Sequence, residues 1–362
     1  MIELSISVSG FYHLDLCGCL RKARQLGYGG VEAEYMDLFS FERGPNQRFV
    51  SEHLMRNDEV TDRVLAAQAE MRTRVTGVHG PIVPLNAPNW KERLWIYDEA
   101  FRRMERLGAK NFTIHAGGGT VTDLAAELPV IERNISELAV VGESHGVTVC
   151  VESGCMPYEI YTISDLAALL ERNHRLGHTA DLSHNYFHAP DKNDPFSIDE
   201  VIGKLGSRVR VVHLVDYQPS TPWCHDLPAG MGGIDWERFF KGILAKGFNG
   251  TICCENTPDA ITAFLIKLRQ ICRGNMAVLP PSTVGAHMST KPEDALANEN
   301  INNILGHDPY MRRLPFNGAT IIWDGAKEQW DGTTISDQLY SASLEYIKSL
   351  FAHLGASFGI KG

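Results

Sequence analysis

Between residues 147 and 255 the chain carries four short apolar runs, each ending on a side chain that can bind a metal or carry a proton. They are VTVCVES, with Glu152; GHTADLSH, with Asp181 and His184; VRVVHLVD, with His213; and TICCENT, with Glu255. About 30 to 40 residues separate one such position from the next, roughly the length of a strand–helix unit with its loops. One ligand-type residue per strand end, repeated four times in register, restricts the fold to those that gather the ends of successive strands.

The same rhythm runs through the first half. ELSISVS precedes LDLCGCLRKARQLGYGG, a strand then a helix closing on glycines. VEAEY reads as a second strand, followed by a polar loop and a helix over roughly 52–72. RVTGVHGP gives a third strand ending at His79, and NFTIHAGGG a fourth ending at His115 in a glycine loop. The helix between them places Leu94, Tyr97, Phe101 and Met104 at helical spacing; the next carries Leu124, Leu128, Ile131, Ile135 and Leu138 on one face. Further helices are expected near 164–173, 197–205, 235–246 and 259–273. About eight strand–helix pairs in some 275 residues predict an α/β protein, a (β/α)₈ TIM barrel, over residues 1–275. The strands are continuous apolar runs, as strands buried on both faces should be. A doubly wound open sheet is disfavoured because no G-x-G-x-x-G follows the first strand.

After about Asn275 the rhythm stops. A Pro-, Asn- and Gly-rich stretch leads to a possible strand, ATIIW, a loop with Trp323 and Trp330, and a last helix from about Ser336 to Leu354. Residues 276–362 are expected to form a C-terminal extension acting as a lid, an oligomer interface or a partner interface, because the apolar stripe of that helix must be buried somewhere.

Net charge narrows the function classes. At −10, with no dense Lys/Arg run, the chain lacks the clustered positive charge on which binding a phosphate backbone rests. No apolar run reaches the length of a membrane span. The start shows no signal-peptide pattern, and the eight cysteines show no disulfide framework. These features lead to the expectation of a cytoplasmic protein that binds neither nucleic acid nor membrane; the C-terminal stripe adds that of a homo-oligomer, with a small second subunit as a further option.

In a barrel of this kind the strands' C-terminal ends open on one face, where catalysis sits. A single histidine at a strand end is ordinarily a hydrogen-bonded structural residue. His79, His115, Glu152, Asp181, His184, His213 and Glu255 together are different, because buried carboxylates converging without compensation would be costly. A divalent cation removes that cost. Three carboxylates and one imidazole (Glu152, Asp181, His213, Glu255) make a hard, oxygen-rich set that suits Mn²⁺ first, with Mg²⁺ or Co²⁺ as alternatives. Such an ion polarises a carbonyl and acidifies the neighbouring C–H, and Glu152 and Glu255, from non-adjacent strands, can move the proton.

This set, with Asp181-x-x-His184, resembles the xylose isomerase-like barrel superfamily, which includes sugar-phosphate isomerases and epimerases, ketose 3-epimerases and type-IV endonucleases. P-A-G-M-G-G-I-D-W (Pro228 to Trp236) resembles that family's P-x-G-x-G-x-I-D loop after the seventh strand. The resemblance covers roughly residues 1–275. It implies Glu152, Asp181, His213 and Glu255 as metal ligands, Glu152 and Glu255 as the acid/base pair, and His184 as a contact to a substrate oxygen.

Two departures from the family bear on substrate. Ketose epimerases carry an Arg shortly after the seventh-strand His, whereas here nothing basic except histidine lies between Arg210 and Arg238. The loop YQPSTPWCHDLPAG instead supplies Tyr217, Trp223 and His225, so Trp223 and His225 join His79, His115 and His184 as expected substrate contacts. The long tail is the second departure. The favoured function is an isomerase or epimerase acting next to the carbonyl of a keto-sugar. Second is a lyase on an oxidised glycoside, like the α subunits of C-glycoside deglycosidases, which cleave 3-oxo-C-glycosides with a small second subunit. A non-catalytic barrel subunit and a phosphodiesterase acting at abasic DNA sites come after. For the last, His79 and His115 supply two ligands a trinuclear zinc site would require, but the expected Asp-x-His is replaced by His225-Asp226.

Overall fold

A computed structural model describes residues 2–11, 14–41, 57–81, 85–86, 89–117, 124–153, 162–186, 193–217, 227–230, 232–256 and 332–356. Eight parallel strands form a closed barrel in sequence order, with β1 hydrogen-bonded to β8. They are β1 (Glu3–Ser7), β2 (Gly30–Glu34), β3 (Arg74–His79), β4 (Asn111–His115), β5 (Thr148–Glu152), β6 (Gly177–Asp181), β7 (Val209–Leu214) and β8 (Thr251–Cys254). The expected eight-strand barrel is the observed one. The outer ring contains α1 (Leu16–Leu26), α2 (Glu59–Met71), α3 (Trp90–Leu107), α4 (Leu124–Ser144), α5 (Ile163–Arg172) and α6 (Trp236–Ala245). Between β6 and β7 the expected helix is a short piece, Ile198–Glu200, that widens into a π-turn over Val201–Leu205.

Local chemistry sets the boundaries. Asp15 caps α1 by accepting from the Gly18 amide at 2.7 Å, and Gly27, in the left-handed region at φ 87°, stops it. Asp235 caps α6 through the Arg238 amide at 3.0 Å. Leu4, Ile6, Val31, Val78, Phe112, Ile114, Val149, Val212 and Ile252 are buried in the apolar core. On the alternate positions of the strands the register aligns polar and small residues, Ser7 with Glu32 with Gly77, and Thr113 with Cys150. The hydroxyls of Thr113 on β4 and Thr179 on β6 lie 2.9 Å apart across a strand, so this second face is the barrel lumen, and it is polar.

The last helix, α7 (Gly332–His353), lies against the barrel wall. Tyr340 stacks on Phe11 at 5.0 Å, Phe351 meets Phe240 of α6 edge-on at 5.1 Å, and Lys22 of α1 pairs with Asp337 at 2.8 Å. α7 therefore stands between α6 and α1, the place in the ring that follows β8. The stripe that argued for a lid or an interface (Leu339, Ile347, Leu350, Phe351) is buried within its own chain. The expected helix at 259–273, the boundary at 275, the ATIIW strand, Trp323 and Trp330 lie outside the described residues, and the expectation of an oligomer now rests on that segment alone. Among the described residues no helix is long and apolar enough to cross a membrane, and Cys17, Cys19, Cys150, Cys253 and Cys254 are free thiols.

Candidate functional site

Each strand delivers its side chain by register. Glu152 is the last residue of β5 and pairs with His115 of β4; Asp181, last in β6, pairs with His213 of β7; Glu255 follows β8 directly. At the C-terminal mouth Glu152, Asp181, His213 and Glu255 each present one ligand atom, all within 4.8 Å of one another. His213 Nδ1 lies 3.0 Å from Glu152 Oε1 and 2.6 Å from Glu255 Oε2. Glu152 and His213 are fully buried, whereas the Glu255 side chain is 15% exposed and reaches the mouth.

The second oxygen of Glu152 faces another pair. His79 Nε2 is 3.3 Å and His115 Nε2 3.2 Å from Oε2, so Glu152 also belongs to a second ligand-type group with these two rings. His79 is oriented through Nδ1, 2.9 Å from the Gly80 carbonyl. Burial alone would raise the Glu152 carboxyl, but the rings of His213 and His115 hold it well below the usual carboxylate range. Burial likewise opposes charge on His79, and the Glu152 carboxylate overcomes it, pushing that ring up to about 10.

Asp181 is aimed by the turn it starts. It caps the short helix Leu182–Asn185, its Oδ1 accepting from the Ser183 amide at 2.8 Å, the Ser183 hydroxyl at 2.6 Å and the His184 amide at 3.3 Å. Oδ1 is thus committed to the turn, by two amides and a hydroxyl, and Oδ2 is the oxygen 3.8 Å from His184 Nε2. The His184 ring is held by Nδ1, 3.0 Å from the Ser153 carbonyl, which puts its proton there and turns Nε2 towards the Asp181 side.

Of the residues expected from sequence, His79, His115, Glu152, Asp181, His184, His213 and Glu255 come together. Trp223 and His225 lie outside the described residues. Two buried acids were missed. Glu32 of β2 lies 3.0 Å from His213 Nε2; the available signal was an acid inside an apolar strand, V-E-A. Asp216, three residues past His213, accepts from the amides of Tyr217 (3.0 Å), Gly230 (3.0 Å) and Ile234 (3.1 Å) and from the Trp236 indole (3.3 Å), anchoring the glycine-rich loop to the end of β7. Gly232 is required there, since a Cβ would collide with the Asp216 carboxylate. Tyr217, the first residue of the loop after the seventh strand, is fully buried and packs on Tyr186 at 4.5 Å.

The chemistry of the donor set suits a divalent cation. Donors around a divalent cation at 2.0–2.3 Å lie up to about 4.5 Å apart, close to the spread seen here. Four carboxylates, counting Glu32, converge around one fully buried imidazole, an excess of negative charge that a cation would neutralise. The residues fit a divalent metal.

A family model described as a xylose isomerase-like TIM barrel matches residues 20–270. Among solved structures the chain is similar to D-psicose 3-epimerase from Clostridium cellulolyticum H10, solved with D-tagatose, at 15% identity over 96% of this chain and 99% of that one, with a TM-score of 0.59. It is also similar to an L-ribulose 3-epimerase, at 11% identity over 99% of both chains with a TM-score of 0.59. A third is the apo form of 3-keto-D-glucoside 4-epimerase from E. coli, at 16% identity over 80% of this chain and 98% of that one, with a TM-score of 0.54. At such identities the likeness is one of fold. No curated protein matches the chain in sequence.

Proposed function

The chain belongs to the xylose isomerase-like TIM barrel family, and from that premise and the geometry of its site we propose that it is a divalent-metal-dependent isomerase or epimerase that removes a proton next to the carbonyl of a keto-sugar. The observation that carries this reading is the convergence of Glu152, Asp181, His213 and Glu255 within 4.8 Å at the barrel mouth. A cation held by these four, Mn²⁺ in preference to Mg²⁺ or Co²⁺, would supply Lewis acidity to a substrate carbonyl.

The residues divide the remaining work. Glu255, the more exposed carboxylate, takes or returns a proton at the mouth. Glu152 acts from the other strand cluster, its Oε2 flanked by the rings of His79 and His115. His184 offers Nε2 to a further oxygen. Removing a proton on one side and returning it on the other inverts the carbon; returning it to the neighbouring carbon moves the carbonyl. Free thiols fit a reducing compartment such as the cytoplasm.

The second reading, a lyase on an oxidised glycoside with a small partner subunit, rests on residues 218–226 and the segment before α7, which lie outside the described residues. The phosphodiesterase reading shares His79, His115 and Glu152, but the net charge of −10 opposes DNA binding.

The test is C–H exchange. The Mn²⁺-loaded protein is incubated in D₂O with a panel of ketohexoses, ketopentoses and 3-keto-glycosides and followed by NMR. Deuterium incorporation next to the carbonyl is expected with at least one. No exchange and no turnover across the panel would overturn the proposal.

A further inference from the structure

We propose that Glu32 is the positioning residue of the metal centre: its carboxylate holds the proton on His213 Nε2, so that Nδ1 is bare and turned to Glu152 and Glu255. The inference rests on the metal-dependent reading above and deepens it, assigning a residue outside the four ligands.

His213 is fully buried, and both ring nitrogens are engaged. Nε2 lies 3.0 Å from Glu32 Oε2, while Nδ1 lies 3.0 Å from Glu152 and 2.6 Å from Glu255. A neutral imidazole carries one proton, and a ligating nitrogen must offer a lone pair. With an ionised carboxylate against Nε2, that nitrogen keeps the proton and Nδ1 becomes the ligand. Glu32 also makes the imidazole more basic, and so a better donor.

The fold is built around this carboxylate. The β2–β3 register shifts between Val31 and Glu32, so that Glu32 faces Gly77, with Thr76 as the extra residue. The glycine at 77 serves the close approach to β4, since a Cβ there would lie 3.0 Å from the Asn111 carbonyl, and it sits in ordinary contact range of Glu32 Oε1. That oxygen accepts from the Thr113 hydroxyl at 3.4 Å, and Thr113 is fixed in turn by Thr179 at 2.9 Å. Glu32 is 2% exposed, so its carboxylate is sealed from solvent and spent on protein partners.

Mn²⁺ is titrated calorimetrically into the metal-stripped full-length wild type, Glu32→Gln and Glu32→Ala, with circular dichroism and apo unfolding midpoints measured alongside. Gln keeps an acceptor without the charge, so its Kd is expected to rise roughly tenfold, and that of Ala towards a hundredfold. The charge-keeping Glu32→Asp is expected to recover part of the loss. A purely structural role would shift the apo midpoints without this order in Kd. Unchanged Kd in both Gln and Ala overturns the inference while leaving the metal reading intact. No Mn²⁺ uptake by the wild type sinks both. Should the variants not fold, ¹⁵N NMR of His213 in the Mg²⁺-loaded wild type decides: a proton on Nε2 is expected, and one on Nδ1 overturns the assignment.

Discussion

The phenol of Tyr28 donates to the main-chain carbonyl of Tyr340 at 2.7 Å, joining residues 312 positions apart. Tyr340 in turn sends its own hydroxyl to the carbonyls of Ser7, at 3.1 Å, and Asn256, at 3.2 Å, the one ending β1 and the other just past β8. Gly10 has no side chain because a Cβ would strike the Tyr340 ring. α7 is therefore the piece that covers the seam where the barrel closes. Tyr340→Ala is expected to cost about 3–5 kcal/mol, by lost packing and by loss of the one buried hydroxyl proton shared between the Ser7 and Asn256 carbonyls. Tyr340→Phe should cost about 1–2 kcal/mol. Urea denaturation measures both, and wild-type midpoints would contradict the structural role of the helix.

Glu255→Gln is the cleaner probe of proton transfer, because Glu255 reaches the mouth while Glu152 is wholly enclosed. Loss of a positioned acid or base costs about 10²–10⁴-fold. Glu255→Gln and Glu152→Gln are each expected to lower deuterium exchange at the substrate carbon by that factor, at Mn²⁺ concentrations that saturate the variant. Exchange at wild-type rates in either would remove that residue from the proton-transfer role.

How far this site was legible in sequence differs residue by residue. Glu152, Asp181, His213 and Glu255 stood out because each closes an apolar run at the repeat length of the fold, and position along a strand is what periodicity reports. Glu32 did not, because it lies inside β2 and its facing is set by the register shift against β3, which leaves no local mark. The polar lumen was hidden for a related reason: strands buried on both faces blur the alternation that distinguishes one face from the other. The existence of α7 followed from its apolar stripe, but its place in the ring depends on where the chain returns after β8, and spacing says nothing of that. Asp216 is invisible without the fold, since the amides it gathers come from residues 217 to 236.

Metal removal should be felt in stability as well as activity. Four carboxylates around His213 repel one another without a cation, and an ion that binds only the folded chain stabilises it by about 2.7 kcal/mol at a hundred times its Kd. Exhaustive chelation is expected to abolish exchange and lower the thermal midpoint, and Mn²⁺ to restore both. Activity that survives chelation would defeat the metal-dependent mechanism.

His178 gives the fold a pH limit of its own. It sits on β6, fully buried, with Nδ1 donating to the Val151 carbonyl at 2.9 Å and Nε2 without a partner among the described residues. Burial drives its pKa down to about 4, against the pull of the Val151 carbonyl. In the unfolded chain the ring titrates near 6.5. Above pH ~6.5 both states are neutral, and the contribution to stability is complete. As pH falls from ~6.5 towards ~4 only the unfolded chain takes up the proton, so stability is lost across that window, on the order of 3 kcal/mol in all. His178→Gln removes this proton from the balance. In metal-stripped protein the dependence of unfolding free energy on pH between 6 and 4.5 should flatten by up to about 1.4 kcal/mol per pH unit, one proton's worth. Denaturation midpoints taken across that range decide the matter, and a slope equal to that of the wild type would show that His178 is protonated equally in the folded and unfolded states.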